Sequence, residues 1–152
     1  DILSNFRLVE EKQIVEKLFK QINTNSGLGV YGLNDILNYL KNNVVDTIIV
    51  TDNIDLYRIE SKCSKCENIQ ENIVERTKVI QIKTELKNTP CPSCKSLGIV
   101  VLEQDIVDYL SLLGAKTGTN VEVVSGAAEH GIMVSNIGKI GAILRYNPNY
   151  TK

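Results

Sequence analysis

Apolar residues recur along this chain with two different periods, and each change of period marks an element. Ile14, Val15, Leu18, Phe19 and Ile22 fall three or four positions apart behind a charged face of Glu10, Glu11, Lys12, Glu16, Lys17 and Lys20, the pattern of an amphipathic helix. Asn23-Thr24-Asn25-Ser26-Gly27 is a cluster of turn formers that ends it, and Leu28-Gly29-Val30-Tyr31 reads as a short strand. A second helix is predicted from about Leu33, with Ile36, Leu37 and Leu40 on its buried face and Asn42-Asn43 at its end. Val44-Val45-Asp46-Thr47-Ile48-Ile49-Val50 is β-branched almost throughout, as expected of a strand buried on both faces, which places it at the centre of a sheet. Farther on, Ile106, Val107, Leu110, Leu112 and Leu113 predict a helix stopped by Gly114. Val121-Glu122-Val123-Val124-Ser125 predicts a strand, residues 127–135 a helix or helical turn, and Ile140-Gly141-Ala142-Ile143-Leu144-Arg145-Tyr146 the last strand. This alternation favours a layered α/β/α sandwich with helices on both faces of a mixed sheet.

Between the two series the pattern changes. Charged residues crowd residues 57–101, so any core there is small, and the four cysteines of the chain lie within it as two Cys-x-x-Cys pairs, Cys63 with Cys66 and Cys91 with Cys94. Each pair puts two thiolates on one tight turn, and two such turns offer four sulfur ligands at the tetrahedral angles that structural Zn²⁺ prefers. We read residues 57–101 as a zinc ribbon holding one Zn²⁺, inserted into a discontinuous core of residues 1–56 and 102–152. Ile73-Val74-Glu75-Arg76 and Lys78-Val79-Ile80-Gln81-Ile82-Lys83 are expected as short hairpin strands between the ligand pairs. Metal binding then supplies most of the ribbon's stability, roughly 10–16 kcal/mol by analogy with zinc-finger peptides. Three other readings stay open on sequence alone. Two disulfides would suit an oxidising compartment, of which there is no other sign; a redox Cys-x-x-Cys usually comes singly at the start of a helix; a catalytic zinc needs an open coordination position, which four thiolates close. Ribbon knuckles often carry Gly just after the second Cys, and this chain has Glu67 and Lys95 there.

Length and charge bound the rest. The 152 residues suit about one domain with a small insertion. With 17 basic and 18 acidic residues, a strongly basic nucleic-acid-binding surface is excluded, leaving at most a local patch. No apolar run approaches the ~20 residues of a membrane span and no segment reads as a targeting peptide. A soluble, cytoplasmic protein without membrane contact is expected, and Asp1, in what reads as mid-helix sequence, suggests the tail of a longer protein. His130 beside Glu129 has no nucleophile or base partner in view and is expected on the surface. Asp46 and Asp52 bracket the central strand as paired carboxylates would, yet strand-end aspartates commonly cap turns. Arg145 and Tyr146 are the candidate partner-binding residues, since Arg and Tyr are enriched at interface hot spots; the alternative for Arg145 is a simple pair with a neighbouring carboxylate.

Three segments carry a resemblance. Val30-Tyr31-Gly32 before a helix, Val45-Asp46-Thr47-Ile48-Ile49-Val50-Thr51-Asp52 after it, and Gly138-Lys139-Ile140-Gly141-Ala142-Ile143-Leu144-Arg145-Tyr146 at the close resemble the C-terminal domain of archaeal and eukaryotic class 1 peptide chain release factors, over nearly the whole chain. Archaeal members are similar also in a four-cysteine insertion after the Asp-Thr strand, where Cys63, Cys66, Cys91 and Cys94 stand, which implies an archaeal source. The family usually has a Gly-Gly pair where this chain has Gly138-Lys139. Its codon-reading Asn-Ile-Lys-Ser and its hydrolysis-promoting Gly-Gly-Gln occur nowhere in this chain, so the resemblance implies no catalytic residue and no enzymatic activity. It implies docking instead: to an elongation factor 1 alpha-like translational GTPase, facing the ABC-type recycling ATPase on the ribosome, with little or no direct nucleic-acid binding. Two rivals share the same α/β core. Pelota, the ribosome-rescue factor, has a similar Ile-Leu-Arg-Tyr ending but lacks the four-cysteine insertion. Kink-turn RNA binders have a Gly-x-Asn-Glu loop that Gly32-Leu33-Asn34-Asp35 faintly echoes, but they tend to be more basic, because phosphate neutralisation supplies much of their affinity. A zinc enzyme is a third class, disfavoured by saturated coordination.

Overall fold

The computed structural model describes residues 2–24 and 26–148, with side chains from Phe6 onward. In chain order the elements are α1 (Ile2–Asn23), β1 (Gly29–Tyr31), α2 (Leu33–Lys41), β2 (Val45–Thr51), β3 (Leu56–Cys63), β4 (Ile69–Glu75), a 3-10 turn (Arg76–Lys78), α3 (Val79–Asn88), β5 (Ile99–Asp105), α4 (Ile106–Thr117), β6 (Asn120–Val124), α5 (Glu129–Ser135) and β7 (Ile140–Leu144). They fall into two compact units, Asp1–Ile54 with Leu110–Lys152, and Asp55–Tyr109.

The first unit is built on a mixed four-stranded sheet of order β1-β7-β2-β6, in which β7 runs antiparallel to β1 and β2 while β2 and β6 are parallel. β2 has a neighbour on each side and exposes only Asp46, as its β-branched run predicts. Ile49 of β2 and Ile143 of β7 share one cluster with Val15 and Leu18 of α1, Val124 of β6 and Val134 of α5, so α1 and α5 cover that face. Strand alternation turns Ile48, Val50, Ala142 and Leu144 to the opposite face, where they too are buried. There α2, which packs against β1, β2 and β7, buries Ile36, Leu37 and Leu40. Each such aliphatic side chain contributes about 1.5–3 kcal/mol when fully buried. Asn43, at φ 61°, leaves α2 through the left-handed conformation that Asn tolerates better than most residues.

α5 lies so close to the turn before it that a Cβ on Gly131 would collide with the main chain of Ser125 and Gly126. Backbone cannot yield as a side-chain tip can. Gly131→Ala is therefore expected to lower stability by about 2–3 kcal/mol, read as a lower urea midpoint; an unchanged midpoint would mean that α5 does not approach this turn.

The end of α4 differs from the sequence reading, and the last strand stops at Leu144 instead of Tyr146. Gly114 does not stop α4, which continues to Thr117 and leaves through Gly118 at φ 68°. The glycine serves packing instead: a Cβ there would press on the Thr119 carbonyl and on Val121.

The second unit holds an antiparallel sheet of order β4-β3-β5 with α3 against β3 and β5. Here the expected second hairpin strand at residues 78–83 is wrong: Val79 begins a helix. Val79 is buried, Ile82 and Leu86 are half-buried and Ile80 is exposed, so the spacing that packs is three and four, not two. Of the expected strand at residues 73–76, residues 73–75 are the end of β4 and Arg76 opens the 3-10 turn. Asp105 closes β5 and starts α4, its Oδ1 accepting from the N–H groups of Val107 (2.8 Å) and Asp108 (3.4 Å), an N-cap.

Candidate metal centre

Two turns of matching geometry bring the four cysteines together. In the first, which leaves β3, the Cys63 N–H donates to Asn68 O (3.0 Å) and the Glu67 N–H to Cys63 O (3.0 Å); in the second, the Cys91 N–H donates to Ser96 O (2.8 Å) and the Lys95 N–H to Cys91 O (2.7 Å). The Ser64 N–H donates to Gly98 O at 2.8 Å, tying one turn to the exit of the other. Glu67 and Lys95 both stand in the left-handed region, at φ 60° and 61°. These are the positions where knuckles often carry Gly, so the turn keeps its shape at the cost of about 1–2 kcal/mol of local strain per residue. Glu67→Gly and Lys95→Gly are each expected to raise the stability of the metal-loaded protein by about 0.5–1 kcal/mol after the entropy cost of glycine. Thermal unfolding checks this, and a lower midpoint in both variants would contradict the turn geometry.

The four sulfur atoms all lie within 4.8 Å of one another. Across the turns, Sγ of Cys63 is 3.4 Å from that of Cys94 and Sγ of Cys66 is 3.5 Å from that of Cys91. A regular tetrahedron with metal–sulfur bonds of about 2.3 Å has edges of about 3.8 Å, so the cluster is the size that encloses one ion. It is too wide for pairwise bonding at about 2.05 Å, and all four thiols are free. Among the described residues no other group of three or more Cys, His, Asp or Glu side chains converges in this way. Cys63 and Cys91, the first of each pair, are buried, whereas Cys66 and Cys94 are exposed.

Backbone amides aimed at the sulfurs prepare the set for a cation. N–H groups of Cys66 and then Lys65 pull the Cys63 thiol down to about 6, and the N–H of Cys94 lowers Cys91. Cys66 goes the other way: the Asn68 N–H stabilises its thiolate, but the bond with the Cys91 sulfur, burial and the other two sulfurs outweigh it and push it up to about 12. Four thiolates packed this closely repel one another, and only a bound cation removes that conflict.

The remaining candidates separate. Nη2 of Arg145 donates to Thr117 O (2.7 Å) and Gly118 O (3.1 Å), so its partner is the carbonyl end of α4, where a cation is favoured, and not a carboxylate. Tyr146 beside it is 55% exposed. His130 corrects the expectation of a surface site: it is buried, with Nε2 3.1 Å from Glu11 Oε1. Glu11, one of many charged positions on α1, gives no hint of this in the sequence. Asp52 Oδ1 accepts from the Gly126 N–H at 2.9 Å and Asp46 Oδ2 accepts from Thr47 Oγ1, so both serve local turns and chain geometry. A network missed from sequence lies in the second unit, where Nε of Arg58 donates to Glu71 Oε2 at 2.6 Å and the guanidinium sits 4.5 Å from the centre of the Tyr109 ring.

Comparison with known proteins adds four findings. The family described as eRF1 domain 3 matches residues 8–148. Peptide chain release factor subunit 1 of Methanocaldococcus jannaschii is 35% identical over 147 residues, covering 95% of this chain and 35% of that protein; the chain thus spans about a third of the length of the curated relatives it matches. Among solved structures, the C-terminal domain of the peptide chain release factor from Methanosarcina mazei superposes with a TM-score of 0.82 at 29% identity, covering 97% of this chain and 89% of that one. Archaeoglobus fulgidus Pelota shares the fold alone, with a TM-score of 0.59 at 17% identity over 98% of this chain and 33% of that one.

Proposed function

The chain belongs to the eRF1 domain 3 family, and on that premise we propose that it is the partner-docking C-terminal domain of an archaeal translation termination factor, binding an elongation factor 1 alpha-like GTPase. Similarity in sequence and fold over nearly the whole chain carries this reading. The longer relatives imply further domains that read the codon and promote hydrolysis, and this domain has no hydrolytic activity of its own. A structure that shares the fold at 20% identity is a model of ribosome-bound archaeal Pelota and ABCE1, which supports the ribosome and the recycling ATPase as later partners. Cys63, Cys66, Cys91 and Cys94 hold one structural Zn²⁺, whose chemistry is limited to closing the four-sulfur shell.

The docking surface lies on the first unit. The second unit is less uniformly charged than its composition implies, since Ile69, Val100 and Leu102 are exposed. Yet among the described residues the exposed aromatics, Phe6, Tyr31 and Tyr146, all belong to the first, and aromatic side chains dominate interface centres. An RNA-binding role is disfavoured by charge. Pairing of Tyr31 with Gly141, the Thr51 N–H on Lys139 O and the Gly126 N–H on Asp52 gather the Gly32 loop and the β2, β6 and β7 turns at one end of the sheet. That end brings Asp35, Asp52 and Glu129 together with Lys139 and with Arg7, which pairs with the Glu11 that holds the Ser125 N–H, so it has no surplus of positive charge to attract phosphate. The test replaces residues 56–105, the whole β3-to-β5 module, with a Gly/Ser linker, which costs little in loop-closure entropy. Calorimetry should show the GTPase binding both forms with comparable affinity; a folded excised form that no longer binds would move the interface to the second unit.

A further inference from the structure

β6 is an edge strand, with β2 on one side and, among the described residues, no strand on the other. The Val124 carbonyl accepts from the Asp52 N–H on the β2 side at 2.9 Å. Main-chain groups alternate along a strand, so those of Asn120, Glu122 and Val124 serve β2 while those of Val121 and Val123 point outward. Ser125 has the same outward parity just past the strand, and its N–H is taken by Glu11 Oε1 of α1 at 2.9 Å. The edge is thus satisfied where α1 supplies an acceptor and open over the two residues before it.

Proteins usually blunt such an edge by shortening it, bulging it or placing Lys or Pro on it. The opposite edge, β1, is three residues long. β6 has little such protection: five residues, no Lys, no Pro, one exposed carboxylate at Glu122 and an unbroken register with β2. Alongside it runs a groove of about 830 Å³, bounded by β6 with Glu122 and by one face of α1 that carries Glu10, Ile14 and Lys17 besides Arg7 and Glu11, which pair with each other at 3.4 Å. Ile14 is the apolar point of that face, with Lys17 one turn to one side and Glu10 one turn to the other. Neither charge has an ion-pair partner among the described residues.

We propose that this groove is a strand-addition site, in which an extended segment of a partner protein lies between α1 and β6. Its main chain bonds to the N–H and C=O groups of Val121 and Val123, and its alternate side chains face α1. Main-chain bonds give such a complex its affinity and the alternate side chains its specificity. The complementary segment carries an apolar residue for Ile14, a carboxylate toward Lys17 and a basic residue toward Glu10. The proposal does not rest on the GTPase reading.

Panning a phage library of random heptapeptides against the 152-residue chain is expected to return that charge order, and synthetic copies should bind in solution. Val123→Pro removes an outward N–H and none of the β2 ladder, and should weaken these peptides at least tenfold. Amide exchange at Ile48 and Ile49 like that of the unsubstituted protein would show that the variant is folded. Methylating the peptide's own edge-facing amides should weaken binding equally, and Lys17→Glu should exchange the acidic preference for a basic one. No enriched peptide, or enriched peptides indifferent to both amide methylation and Lys17→Glu, would overturn the proposal.

Discussion

Treatment with a strong chelator is expected to unfold residues 55–109. Their apolar core is small, with Ile59, Val79, Ile106 and Tyr109 its main buried side chains beside Cys63 and Cys91. The metal term of about 10–16 kcal/mol in comparable peptides is as large as the whole stability of a typical domain. Elemental analysis of protein purified without added metal should give one zinc per chain. Cys63→Ser or Cys91→Ser, each removing a buried ligand, should abolish zinc retention and collapse the amide dispersion of β3, β4 and β5, while Ile48 and Ile49 of the first unit keep theirs. Intact protein carrying less than about a tenth of an equivalent of zinc, with four free thiols or two disulfides, would show that the cysteines are not a metal shell.

The second large effect is expected at Tyr146. A Tyr at an interface centre costs about 2 kcal/mol or more when truncated, so Tyr146→Ala should weaken GTPase binding about 30-fold. Stability should hardly move, because the side chain is more than half exposed. Arg145→Ala is the less clean probe, since losing the cation at the end of α4 costs about 0.3–1 kcal/mol by itself. Arg145→Lys keeps that charge and should recover part of the binding. Unchanged affinity in Tyr146→Ala would remove the end of β7 from the interface.

The first unit was legible because its elements carry one period each. β2 is β-branched at every position but Asp46, and the faces of α1 and α2 repeat at three and four, so burial and sequence agree. The second unit is a small sheet with an open face, where Ile69, Val100 and Leu102 stay exposed and hydrophobicity no longer reports which side is inside. That is why Val79 and Ile82, which suit a strand or a helix over six residues, pointed to the wrong element. The convergence of the four cysteines survived this ambiguity because its signal is ligand chemistry at fixed spacing and does not depend on the elements around it. Contacts between distant residues left no trace: the Glu11–His130 pair joins one charged helix position to a histidine 119 positions away, and the carbonyls that Arg145 meets carry no residue identity.

The central claim, a docking domain for a translational GTPase, is tested most directly by titrating the purified archaeal elongation factor 1 alpha-like protein, loaded with a non-hydrolysable GTP analogue, into this chain in a calorimeter. The account predicts a one-to-one complex with a Kd in the micromolar range or tighter. Absence of binding at about 100 µM of each protein, with the chain folded and zinc-loaded, would contradict it.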